Sequence, residues 1–257
     1  MNKFLKLLAN SKIGLFLRER TGIRPPVFLF GNQSSFLSSD LFFWRTDNGF
    51  STIFRASDIL KKYYDSKSEL TLIFYDSKGD FLLQETFEFK HGLAVIKITA
   101  DLLGMEGMGT FAALNTPTEP LKFDVQVTNR CYVGYGKNAS FSMMHGNLTA
   151  IKVQSNVKSA DFIKHIKPAI SSRKGNYTYH IQKPNYSNLK ISLIFINPLD
   201  RKIEVAVNKK RYQASKFSVI IISIPHEDDC IVVKSDFIWP RPIVFCEKEN
   251  FIDVHHG

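Results

Sequence analysis

This chain has only three cysteines, Cys131, Cys230 and Cys246, and no CxxC pair among them. A disulfide framework is therefore excluded as the basis of the fold. Catalytic and metal signatures are equally scarce. There is no GxSxG elbow, no HExxH helix and no calcium-loop spacing. The run GYGKNASFS misses the phosphate-loop pattern, because no Ser or Thr follows Lys137. No cofactor and no metal site is expected from these patterns. The zinc-finger spacing and the paired RNA-recognition signatures are missing too. Helices and strands do not alternate along the chain as a parallel α/β fold requires. Tryptophan is rare, with two copies.

What is present points to sheets. Phenylalanine reaches 22 copies among 257 residues, a ring-rich composition that suits pleated faces. Most of the chain after residue 25 divides into short apolar runs separated by turn formers. LTLIFYD (70–76) meets FLLQETFEF (81–89) across a turn holding Gly79, and LAVIKI (93–98) follows His91-Gly92. FAAL (111–114) and LKFDVQVT (121–128) read as further strands, the second with period-two alternation at Phe123, Val125 and Val127. LKISLIFIN (189–197), KIEVAVN (202–208), FSVIIISI (217–224), DCIVVKSD and PIVFCEK repeat the style. Two LIF triplets, at 72–74 and 193–195, lie 121 positions apart. The expectation is a mainly β protein of two tandem antiparallel β-sandwich-like domains, related by duplication, with a short N-terminal amphipathic helix.

The boundaries follow from composition. Residues 1–24 form a basic leader, with Lys3, Lys6, Lys12, Arg18, Arg20 and Arg24 against Glu19. Its apolar runs are too short and interrupted to span a bilayer, and it lacks the continuous apolar segment of an ordinary secretory signal. A helix packed on its own domain, or one lying on an anionic membrane surface, both fit it. Pro25-Pro26 ends it. A first β domain is expected over 25–157, a helix and linker over 158–188, and a second β domain over 189–257. Helices are expected at ASDILKKYYD (56–65), with Ser57 ahead of it, and at KSADFIKHIKPAI (158–170), with Ser159 as its cap.

Two clusters carry candidate chemistry. In SSDLFFWRTDNGF (38–50), Trp44 offers a stacking face, Arg45 a clamp for carboxylate or phosphate, and Asp47 an acceptor for sugar hydroxyls; Asn48-Gly49 reads as a turn. In CYVGYGKNASFSMMHGNL (131–148), Tyr132 and Tyr135 stand out as ligand-binding rings on two adjoining strands. His145 with Ser142 is the candidate catalytic pair there, needing an acidic orienter such as Asp124 or Asp161. HEDDC (226–230) reads as a solvated acidic turn, and NKKRYQASK (208–216) as a basic turn able to meet phosphate.

The net charge of +10 favours acidic partners. The leading expectation is a non-enzymatic recognition or assembly protein. It would bind a glycan, a protein partner or another anionic partner near a membrane, in the cytoplasm or at the membrane periphery. One alternative is an enzyme acting on a sugar or acyl-containing substrate through His145 and a nearby hydroxyl. The other is a nucleic-acid-binding protein, the weaker account of the charge.

Overall fold

The computed structural model describes residues 36–119, 121, 126–128, 130–146, 150–170, 174–182, 189–225, 230–237 and 241–257. The expected leader helix, the VFLFG run, Asp124 and the first four residues of HEDDC lie outside them. Among the described residues the protein is mainly β, with twenty strands in five four-stranded sheets.

Sheet I has the order β12 (Lys167–Pro168), β11 (Ile151–Gln154), β1 (Phe36–Ser39), β8 (Gln126–Thr128). Sheet II runs β2 (Leu41–Arg45), β7 (Met108–Pro117), β4 (Ser68–Asp76), β5 (Phe81–Glu88). Sheet III runs β10 (Ser140–His145), β9 (Arg130–Lys137), β3 (Phe50–Ser57), β6 (Leu93–Ile98). Sheet IV runs β17 (Val219–Ile224), β14 (Lys190–Ile196), β19 (Ile243–Lys248), β20 (Phe251–His256). Sheet V runs β13 (Tyr177–Gln182), β18 (Cys230–Ser235), β15 (Ile203–Val207), β16 (Lys210–Ala214). Pairing is antiparallel throughout except between β1 and β8.

The sequence pattern explains the stacking. Sheet II is covered on both sides. Leu70, Leu72, Phe74, Phe111 and Ala113 face one core, while Ile73, Tyr75, Ala112 and Leu114 face another shared with sheet I. A strand buried on both faces needs an unbroken apolar run, which is what LTLIFY and FAAL are. Sheet IV is in the same position: Ile194, Ile243 and Phe245 enter the core with sheets II and III, and Leu193, Phe195 and Val244 enter one with sheet V. Sheet III has one solvent face, so FSTIFRAS alternates. Much of the phenylalanine excess is spent between sheets II and III. There Phe111 packs on Phe42, Phe54 and Phe74 with ring centroids 5.2, 5.2 and 5.5 Å away. Each such pair adds about 0.5–1.5 kcal/mol beyond burial.

The tandem-sandwich expectation is corrected by these cores. The largest one joins Phe42, Phe54 and Phe111 to Ile194, Phe245 and Val254, so the two halves do not close separately. The sheets form a propeller-like ring of five small blades instead, although in no blade do four consecutive strands follow one another. The two LIF triplets are central strands, β4 and β14, but their successors diverge. β5 pairs with β4, whereas β15 leaves for sheet V. Their likeness follows from double-sided burial, and the strand pairing carries no repeat.

Among the described residues there are three short α-helices, α1 (Ile59–Tyr64), α2 (Ala100–Leu103) and α3 (Phe162–His165). The cap of α1 is Asp58, whose carboxylate accepts the Lys61 N–H at 2.9 Å, and not Ser57. The expected helix over 158–170 shortens to a 3-10 turn at Ser159–Asp161 followed by α3, and Ser159 does not cap it.

Candidate functional site

The cluster at 38–50 is structural. Trp44 is 0% exposed, and its indole N–H donates to the Tyr75 carbonyl at 2.9 Å, so no ring face is left for a ligand. Arg45 and Asp47 pair with each other through two contacts of 2.6 and 3.2 Å. The guanidinium also lies 3.6 Å from Glu247 and 3.9 Å over the Phe50 ring. Two carboxylates and a ring therefore occupy the proposed clamp. The turn itself is as expected: Asn48 and Gly49 take φ of 52° and 76°. It carries the chain from sheet II into sheet III, with the Thr52 hydroxyl bonding to both the N–H and the carbonyl of Arg45.

The stretch 131–146 is a hairpin, β9 to β10, turning at Asn138 with φ of 55°. Period two then sorts its side chains. Cys131, Val133 and Tyr135 point into the core. Tyr135 is 0% exposed, its hydroxyl donates to the Phe43 carbonyl at 3.0 Å, and burial holds its phenol well above the usual range. It is not a ligand ring. Ser140 and Ser142 accept the backbone N–H groups of Ile252 and Val254 at 2.8 and 3.0 Å, so their oxygens are committed to joining sheet III to sheet IV. His145 lies an odd number of residues from Ser142 on the same strand. The two project from opposite faces, and the expected catalytic pair does not form. Asp161, a candidate orienter, pairs with Lys164 at 3.4 Å. Gly134 admits a close approach, but by the Phe141 ring: a Cβ there would lie 2.3 Å from Phe141 Cζ.

Tyr132 is the expected contact residue that stays available, 55% exposed. The register sets it in a row across the solvent face of sheet III, Val95–Arg55–Tyr132–His145. The adjoining row is Lys97–Ile53–Gly134–Met143, and Phe141 stands opposite Gly136 beyond it. Val95 is 60%, Leu93 50% and Phe141 44% exposed. Arg55, Lys97 and His145 are exposed as well. No acidic residue occupies a described position of this face, and neither Arg55 nor Lys97 has a carboxylate partner among the described residues. The face carries Leu93, Val95 and Lys97 on one edge strand and Phe141, laid over Gly134, on the other, with Arg55 and Tyr132 between them. Such a surface can stack planar or sugar rings and hold an anion beside them.

Arg55, Val95, Lys97 and Phe141 were not singled out from sequence. The signal was there in FSTIFRAS, whose alternation puts Ser51, Ile53 and Arg55 outward. LAVIKI hid Val95 and Lys97 inside an apolar run. Elsewhere, NKKRYQASK supplies the turn and the second strand of the hairpin β15–β16, with Arg211 held 3.4 Å from Glu204. Among the described residues no three His, Cys, Asp or Glu side chains gather as a metal site, and no helix is long and apolar enough to cross a membrane. No family model and no curated protein matches this chain.

Proposed function

We propose that the protein is a non-enzymatic recognition protein whose solvent face of sheet III binds an acidic glycan. The supporting observation is the row Val95–Arg55–Tyr132–His145 beside Lys97 and Phe141, cationic and aromatic with no acid among its described positions. Exposed Tyr132 and Phe141 supply faces for sugar rings, and Arg55 and Lys97 meet the acid groups. An apolar patch that survives on a protein surface with basic neighbours usually marks a contact site. The enzyme alternative loses its hydroxyl, because Ser142 is bonded to Val254 and turned away from His145.

The test is a titration of the full chain with a uronic-acid oligosaccharide, a neutral oligosaccharide of equal length, single-stranded DNA and anionic phospholipid vesicles. The acidic glycan should bind, weaken with added salt, and lose about tenfold in affinity, about 1.4 kcal/mol, on Tyr132→Ala or Arg55→Ala. DNA or vesicles binding as tightly as the glycan, or unchanged glycan affinity in both variants, overturns the proposal.

A further inference from the structure

Where sheets II, III and IV meet, a cavity of about 50 Å³ opens beside His145. Phe42, Val133, Met144, Ile194 and Ile243 give it an apolar lining. Asp40, His145, Arg241 and His256 line it as well. The two imidazoles lie with ring centroids 5.1 Å apart, although 111 positions separate them in the chain.

Hydrogen bonding fixes the tautomers. His256 Nε2 lies 3.1 Å from the His145 carbonyl, which can only accept, so Nε2 carries the proton. Nδ1 of the neutral ring is then a bare lone pair, and it is buried with no donor beside it. His145 in turn donates through Nδ1 to the Gly146 carbonyl at 2.8 Å. Arg241 donates its Nε–H to the Gly257 backbone oxygen at 2.9 Å, which leaves the two terminal nitrogens of the guanidinium to face a ligand. The site therefore presents an unmet acceptor at His256 Nδ1 and a guanidinium beside an apolar wall. A ligand that donates to a buried, unmet acceptor recovers the cost of its desolvation as affinity.

We propose that this cavity binds a short aliphatic carboxylic acid, with its head between Arg241 and His256 and its alkyl group against the apolar wall. On binding, the acid O–H bond breaks and an N–H bond forms at His256 Nδ1. The products are an imidazolium and a carboxylate, and the carboxylate pairs with both the imidazolium and the guanidinium. A carboxylate entering from neutral solution must bring one proton from water, so binding tightens as pH falls. The charged and titratable groups facing His256 are Arg241 ahead of β19, His145 at the end of β10, the adjacent His255 and Asp40 across the cavity. Arg241 opposes protonation of the empty site, and the bound carboxylate removes that opposition.

The experiment is nitrogen-detected NMR of the histidine rings, with calorimetry, on the full chain at pH 7.0 and 5.5. The probes are butanoate, hexanoate, 1-hexanol and inorganic phosphate. A carboxylate should move His256 Nδ1 towards the imidazolium position and bind about tenfold tighter or more at the lower pH. Arg241→Gln, a change at an exposed residue, should weaken it about tenfold without changing thermal unfolding. Arg55→Ala should leave it intact, which separates this site from the glycan face. Hexanol binding as tightly as hexanoate, phosphate competing equally, or an unmoved His256 Nδ1 overturns the proposal.

Discussion

The Ser142 hydroxyl oxygen accepts the Val254 backbone N–H at 3.0 Å, and so closes the seam between two sheet edges. Its neighbour on the same face, Ser140, does the same for Ile252 at 2.8 Å. β10 and β20 are both edge strands, and two hydroxyls replace the ladder that would otherwise join them. The double change Ser140→Ala, Ser142→Ala leaves two donors without partners. It should cost about 2 kcal/mol in urea unfolding, taking about 1 kcal/mol per bond. Glycan binding at Tyr132 should persist in the folded variant.

Gly79 is the tightest contact between the β4–β5 turn and the second half. Its φ is +90°, and a Cβ would lie 1.9 Å from the Lys216 carbonyl oxygen. The same turn accepts the Val219 N–H at the Ser77 carbonyl, and Tyr75 packs on Phe217 with centroids 4.7 Å apart. Gly79→Ala should therefore lower stability by about 2–3 kcal/mol, because backbone strain adds to the displaced contact. Ala at Gly49, where nothing lies within 4 Å, should cost less. Thermal unfolding of the two variants decides it.

Arg45 carries structure, so its removal should be read in stability first. Glu247 is 9% exposed and, among the described residues, keeps Lys190 at 3.3 Å as its cation once the guanidinium is gone. Arg45→Ala should destabilise by about 3 kcal/mol, the range for breaking a buried pair from one side. Arg45→Lys should recover part of this, since one charge returns without the two-pronged contact to Asp47. Denaturant midpoints measure both.

Acid should weaken the fold through His256. Burial first, then the charge of Arg241, hold its pKa at about 4, below the ordinary 6.5. Between those values the unfolded chain takes up the proton and the folded chain does not. The contribution is thus complete above about pH 6.5 and is lost as pH falls towards 4. His256→Gln should show a smaller drop in melting temperature from pH 7 to pH 4 than the parent protein. Parallel curves would remove the assignment.

The thiols should separate by reactivity. Cys230 is exposed, while Cys246 is buried and its thiol is pushed up to about 11 by burial and by Asp253. Burial and Asp40 push the Cys131 thiol up as well. An aromatic disulfide reagent at pH 8 should label one thiol quickly in the folded protein and all three after denaturation.

Local chemistry was readable in advance. The strand runs, the Asn48-Gly49 turn and the Gly79 hairpin follow from apolar period and from residues that tolerate positive φ, both properties of a few neighbours. The spacing of three between Tyr132 and Tyr135, and between Ser142 and His145, also separates each pair onto opposite faces once the strands are accepted. Sheet membership was not readable. LTLIFYD and LKISLIFIN look alike because both are buried twice, and an apolar run does not say which strand lies beside it. Nor did the sequence bring His145 to His256, or show that Trp44 and Arg45 would be covered by Tyr75, Phe50 and Glu247. Those placements depend on contacts between residues far apart in the chain, and only the packing of sheets II, III and IV decided them.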